Sequence, residues 1–320
     1  MPETNRHKIN QFLLIAFGIA WISAFIMRFS GIAYGSSQSV LIIACFYMPA
    51  PAIAAFIVQR VLRNEPLAEL GFSVTGVSWI WTLLYSPVLY LVFFLGSLLV
   101  ILLLGNIFHI PQFGFLDFSN EHFFEYLKDA LRKQGNEGRF PFDKLEQMPV
   151  SFSPILLVVG IFAAFFAGYT INLPFTLGEE LGWRGLLQKE TQHFGFWKSN
   201  LFIGSIWGLW HGPIIMMGHN YPHYPVAGIG MMVLFCISMS FVLSYIRFKT
   251  RTVLGPAAFH GMVNGSSGMS LLLIASPNEL FGSIAGITGM IGAIFVLAYI
   301  LLFDRKFIAD FRNHSGPASV

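Results

Sequence analysis

The chain has 320 residues, 55% of them hydrophobic and only 11% charged, with 34 Phe, a mean hydropathy of +0.65 and a formal net charge of +3. Such a composition excludes a soluble globular protein and a disordered chain alike. The small basic excess sits in loops, so no nucleic-acid partner is implied.

Long runs carry no Asp, Glu, Lys or Arg: Ile9–Met27, Phe29–Gln59, Leu70–Leu116, Gln147–Gly178, Ser199–Ile246, Thr252–Asn278 and Leu280–Phe303. Each has at least the roughly 20 residues that a spanning helix needs. The expected fold is an all-α polytopic membrane bundle of about eight transmembrane helices. It has the lipid bilayer as its partner and a bacterial or archaeal cell membrane as its location. Arg6 and Lys8 before the first apolar run imitate a signal peptide, but no small-residue cleavage site follows, so a retained helix is expected.

In chain order, the first helix is expected over about Ile9–Phe29 and the second over Val40–Val61, kinked at Pro49 and Pro51. The third covers Trp79–Ile107, with aromatics suited to a membrane interface. The polar stretch 111–149 follows, with an amphipathic helix near Glu121–Lys133; it reads as a lid or as a solvated connector. A fourth helix starts at Pro154, breaks at Pro174 and continues helically to about Glu190. The next charge-free run is too long for one span. The turn-rich Gly218–Pro225 divides it into a fifth helix, Trp197–Met217, and a sixth, Val226–Arg247. The seventh covers Val253–Ala275 and the eighth Ile284–Phe303. The chain thus divides into 1–153 (three helices and the polar loop), 154–275 (a core bearing the motifs below) and 276–320 (a last helix and tail).

Charge bias orients this arrangement. With the N-terminus inside, the inner segments hold Arg6, Lys8, Arg60, Arg63, Arg184, Lys189, Lys198, Arg247, Lys249, Arg251, Arg305, Lys306 and Arg312, which is 13 of the 19 basic residues. Five of the other six sit in the acid-balanced loop 111–149. This asymmetry places both termini in the cytoplasm. Cys45 and Cys236 lie in apolar runs and are expected as buried, inert thiols.

Against this background Gly178-Glu179-Glu180-Leu181-Gly182-Trp183-Arg184-Gly185 stands out. An ionised group at bilayer depth costs roughly 2.5–3.5 kcal/mol even on insertion scales. Four residues apart on a helix, Glu180 and Arg184 share a face and can pair, while Glu179 points about 100° away. That frees Glu179 to serve as a general base in a partly dry pocket. Gly178, Gly182 and Gly185 leave one flank bare for close approach of a neighbouring backbone. The same pattern also suits a charge-paired helix end at the interface.

Three further residues could join Glu179. His211 lies inside the fifth helix, and His260 and Asn264 share a face of the seventh. Each alone also reads as a hydrogen-bonded structural group; together they offer a base, ligands and oxyanion donors. A pocket open toward the cytoplasmic half is expected to reach them. His219 and His223 are four apart too, but Pro222 between them argues against a helical ligand pair. Ser266 and Ser267 lack a nucleophile elbow, and neither a phosphate loop nor a His-Glu-x-x-His motif is present.

Glu179-Glu180-Leu181-Gly182-Trp183-Arg184, then His211, then His260-x-x-x-Asn264 resemble the motifs of the CAAX prenyl protease and bacteriocin-processing family of intramembrane endopeptidases, over about residues 154–275. The resemblance implies a membrane peptidase with Glu179 activating water, His211, His260 and Asn264 completing the site, and Glu180 and Arg184 in support. The family usually has Phe four residues before the first histidine; Trp207 stands there in this chain. Expected substrates are a peptide or membrane protein, as in CAAX-type or leader-peptide processing; no oligomeric state is specified. Zinc held by His211, His260 and Glu179 would leave an open coordination position. Asn is a poor zinc ligand, which favours metal-free chemistry slightly. A non-catalytic immunity or adaptor protein and a proton-coupled transporter are the rival expectations.

Overall fold

The computed structural model describes residues 3–133, 142 and 152–313. Helices α1 (Glu3–Phe29), α2 (Ser37–Leu62) and α3 (Trp81–Ile107) come first. Strand β1 (Phe115–Leu116) and the amphipathic α4 (Asn120–Lys133) follow. Next are α5 (Phe152–Tyr169), α6 (Leu173–Phe194), α7 (Phe196–Trp210) and the short α8 (Gly212–Met216). The chain closes with α9 (Pro225–Thr250), α10 (Leu254–Leu273), β2 (Ile274–Ala275), α11 (Ile287–Phe303) and α12 (Lys306–Asp310).

Helix forms at all eight places where the sequence calls for one. Among the described residues, α1, α2, α3 and α9 are long and apolar enough to cross a membrane; α5 and α6 add a fifth span if taken together. At 17 residues, α11 is apolar but shorter. Apolar side chains such as Leu14, Phe29, Phe166 and Phe303 lie outward and exposed, as lipid-facing residues do. The chain is an all-α, multi-pass membrane protein. Part of the polar loop, including Arg139 and Lys144, lies outside the described residues.

Three local departures from regular helix position the site. Pro174 has no N–H to continue the ladder, and α5 and α6 meet at a 57° bend just before it. There the Asn172 amide nitrogen Nδ2 donates to the Gly261 carbonyl at 2.8 Å. The fifth predicted helix is not continuous: Pro213 interrupts it, so α7 stops at Trp210 and His211 occupies the junction with α8. The Trp210 carbonyl accepts from Trp21 Nε1 (3.1 Å) and Tyr47 OH (2.5 Å), tying the break to α1 and α2. The seventh predicted helix ends two residues early. Ile274 and Ala275 pair antiparallel with Leu116 and Phe115, giving a two-stranded sheet that helical periodicity does not announce.

Close helix crossings rely on glycine. On α7, a Cβ at Gly204 or Gly208 would collide with the α9 backbone at Ile237 or Val233. The bare flank of α6 is used as expected: a Cβ on Gly178 would lie 3.0 Å from Pro49 Cα, one on Gly182 would meet Pro51, and one on Gly185 would lie 2.7 Å from the Leu70 carbonyl. Without side chains between them, α6 and α2 pack backbone to backbone.

The bundle has two distinct ends. At one, Lys8 pairs with Glu65 and, at 2.8 Å, with Glu190; Lys189 pairs with Glu69, and the Val253 amide donates to Gly71 O at 3.0 Å. At the other, His223 Nδ1 lies 2.6 Å from Glu279, Tyr221 OH donates to Ala285 O at 2.6 Å, and the Asn278 amide reaches Gln112 O at 3.1 Å.

Candidate active site

The Glu-Glu motif begins in the second turn of α6 and runs into a stretch of wider, π-type turns at Leu181–Leu187. Such turns are frequent at functional sites. Glu179, Glu180 and Arg184 are all buried. Glu180 and Arg184 pair as their spacing predicts, through Nη1 to Oε1 and Nε to Oε2, both at 3.3 Å. Arg184 Nη2 also donates to Ser240 Oγ at 3.0 Å. A buried pair must replace the hydration it loses, and these contacts do so in part.

Glu180 has a second partner. Its Oε1 lies 3.0 Å from His260 Nδ1. A carboxylate only accepts, so Nδ1 carries the proton and Nε2 is the nitrogen left for chemistry. The same reasoning applies to His211, whose Nδ1 lies 2.9 Å from the Trp207 carbonyl. Each imidazole is therefore held by Nδ1 with Nε2 free.

Trp207 connects these groups. Its Nε1–H donates to Glu179 Oε2 at 2.8 Å, and its ring lies 4.6 Å from the Arg184 guanidinium and 5.3 Å, edge-on, from the His260 ring. Phe at this place would provide the ring but no donor to Glu179. With Arg184 committed to Glu180 and Ser240, Glu179 takes its hydrogen bond from this indole.

A cavity of about 350 Å³ is lined by Glu179, His211, His260 and Asn264 together, with Trp207. All four expected site residues thus meet in one place, and Asn264 is exposed at its edge. The cavity does not lie toward the basic end, as the sequence suggested. Its walls include Tyr34, His219, Asn220, Ile284 and Ala285, from the connections at the opposite end. The reason is the path of the chain: the break at His211 and the bend at Asn172 set the polar groups below those connections. On the basic side the space is closed by the buried Glu180, Arg184 and Gln188.

Several lining residues escape sequence reasoning. His219 stacks parallel to His211, ring centres 6.1 Å apart, and its Nδ1 lies 2.5 Å from Tyr34 OH. Its position eight residues after His211, past a proline-broken helix, was the available signal. Tyr34, Tyr47 and Asn172 gave none. Cys236 is buried in the cavity wall, whereas Cys45 is exposed, contrary to expectation.

Zinc requires three or more converging ligands. Among the described residues no group of three His, Cys, Asp or Glu side chains is disposed to hold one ion, so the set His211, His260 and Glu179 is not gathered as a ligand set.

A family model described as Type II CAAX prenyl endopeptidase Rce1-like matches residues 149–266, the segment that carries Glu179 to Asn264. CAAX prenyl protease 2 of Methanococcus maripaludis is similar at 25% identity over 180 residues, 54% of this chain. The match spans 58% of that curated relative's length, a little over half.

Proposed function

We propose that the chain is an intramembrane endopeptidase that hydrolyses a peptide bond of a membrane-associated peptide or protein by water that Glu179 activates. The observation that carries this is the meeting of Glu179, His211, His260 and Asn264 in one cavity, while Glu180 engages Arg184. The family match and the similarity to a protein named CAAX prenyl protease 2 support the same reading.

In this scheme Glu179 takes a proton from water as the oxygen attacks the carbonyl carbon. The oxyanion accepts from the Asn264 amide and from His260, which donates through Nε2 when it carries a second proton. His211 orients the water through Nε2. Collapse of the intermediate breaks the C–N bond, and Glu179 returns its proton to the leaving amine. Trp207 holds the Glu179 carboxylate, and Glu180 holds His260.

Glu179→Gln keeps the side-chain shape and the acceptor for Trp207 but removes the base. Cleavage by that variant, assayed on purified protein against total membrane proteins, is expected to fall on the order of 10²–10⁴-fold. Unchanged cleavage would dismiss the scheme. Proteoliposome proton flux that needs Glu179, with no cleavage at all, would favour the transporter.

A further inference from the structure

We infer that the substrate enters the cavity from the extracytoplasmic side, so that the chain cuts a translocated or outer-leaflet segment of a polypeptide rather than a cytosolic tail. The proposal takes what is cut from the reading above; where it enters rests on geometry alone.

Two observations combine. The first is the sidedness of charge. Apart from the buried Arg184, every basic residue assigned to the inner segments lies at the end marked by the Lys8, Lys189 and Val253 contacts. Among the described residues the opposite end holds only Arg28, Lys128, Arg132 and Lys133, and the sequence adds Arg139 and Lys144. Helix α4, which carries three of these, lies beside the start of α5 and the end of α10: Phe123 stacks on Phe152 at 5.8 Å, and Leu272 packs on the same cluster. Twelve basic residues against six is a bias that retains the first end in the cytoplasm, because short basic connections resist translocation and acidic residues contribute little.

The second is the sidedness of the cavity. Its lining takes residues from three connections at the less basic end, Tyr34, His219 with Asn220, and Ile284 with Ala285, and none from the connections at the basic end. Beneath Glu179 toward the basic end, Arg184, Gln188, Asn200 and Ser244 are buried and bonded to one another or to neighbours, Ser244 Oγ reaching both Gln188 Oε1 (2.8 Å) and Asn200 Oδ1. This polar plug separates the cavity from the basic face, while Asn264 and Ser267 are exposed on its other flank. A peptide that is to reach Glu179 therefore arrives from the end that the charges put outside.

The test is cysteine accessibility in intact cells expressing the full chain. His223→Cys replaces an exposed residue at the less basic end, Lys198→Cys an exposed residue at the basic end, and Asn264→Cys a cavity residue. The parent chain, with Cys45 and Cys236, sets the background. The probe is a small membrane-impermeant methanethiosulfonate. Expected is labelling at 223 and 264 in intact cells, several-fold over the parent, with 198 labelled only after permeabilisation. Labelling of 198 with protection of 223 would overturn the orientation. Labelling of 223 without 264 would overturn the access path and direct attention to a cytosolic tail as substrate. None of these readouts needs catalysis, so loss of the peptidase reading through Glu179→Gln would leave them unchanged.

Discussion

Glu180 Oε1 lies 3.0 Å from His260 Nδ1, so the second glutamate of the motif, and not the first, holds the histidine in place. The carboxylate that neutralises Arg184 also selects the tautomer of His260. Glu180→Ala would leave a buried guanidinium with no carboxylate in its pair. We expect a loss of roughly 3–5 kcal/mol in stability, read as a lowered thermal midpoint in detergent micelles. Arg184→Met combined with Glu180→Leu should recover most of it, with His260 left unheld and cleavage still impaired.

Trp207→Phe separates packing from hydrogen bonding. The ring over Arg184 remains, but the donor to Glu179 Oε2 is lost. A hydrogen bond to a charged group contributes about 1.5–3 kcal/mol. Cleavage should fall about 10- to 100-fold with the thermal midpoint nearly unchanged. Equal losses in both would show that the indole acts by packing alone.

Packing of α6 on α2 and of α7 on α9 predicts which glycines resist change. Gly182→Ala and Gly204→Ala push a methyl group into a neighbouring helix, and overpacking of this kind costs about 1–3 kcal/mol. Gly18 has nothing within 4 Å of its built Cβ, and Gly18→Ala should be neutral or stabilising by up to about 1 kcal/mol. Thermal unfolding of the three variants side by side checks the order.

The sequence read the helices well because apolar runs and their basic borders are long signals. Pro174 announced the bend of α5 on α6, and the i,i+4 spacing announced the Glu180–Arg184 pair. It read the position of the cavity poorly. His211 was placed inside a continuous helix, whereas Pro213 ends that helix beside it. The contributions of Tyr34 and His219 depend on two loops, 185 residues apart, meeting through a 2.5 Å hydrogen bond, and no local pattern encodes that. Strand β2 was missed for the same reason: its partner is β1, far away in the chain.

Outside the spans, the hydrogen bond from Lys189 holds the Glu69 carboxyl below its ordinary range, more than burial raises it. A carboxylate whose folded value is depressed stabilises the fold above its unfolded value, and that contribution disappears as pH falls through the folded one. With both side chains about a third exposed, the effect should stay below about 1 kcal/mol. Glu69→Gln should lower the midpoint slightly at pH 7, where the contribution is complete, and converge with the parent as pH falls below about 4.5, which flattens the acid limb of the midpoint-against-pH curve.

The bonds that α1 and α2 make to the Trp210 carbonyl, and the glycine seam between α6 and α2, bear on how such a protein can be divided. The segment 149–266 carries the motifs, yet Trp21, Tyr47, Pro49 and Pro51 supply its missing backbone partner and its facing surface. Cut out alone, it would expose an unsatisfied carbonyl and a bare helix flank to lipid. The motif-bearing helices are therefore not a portable module: grafted to another bundle, they would need a replacement for α1 and α2 shaped around the same glycines.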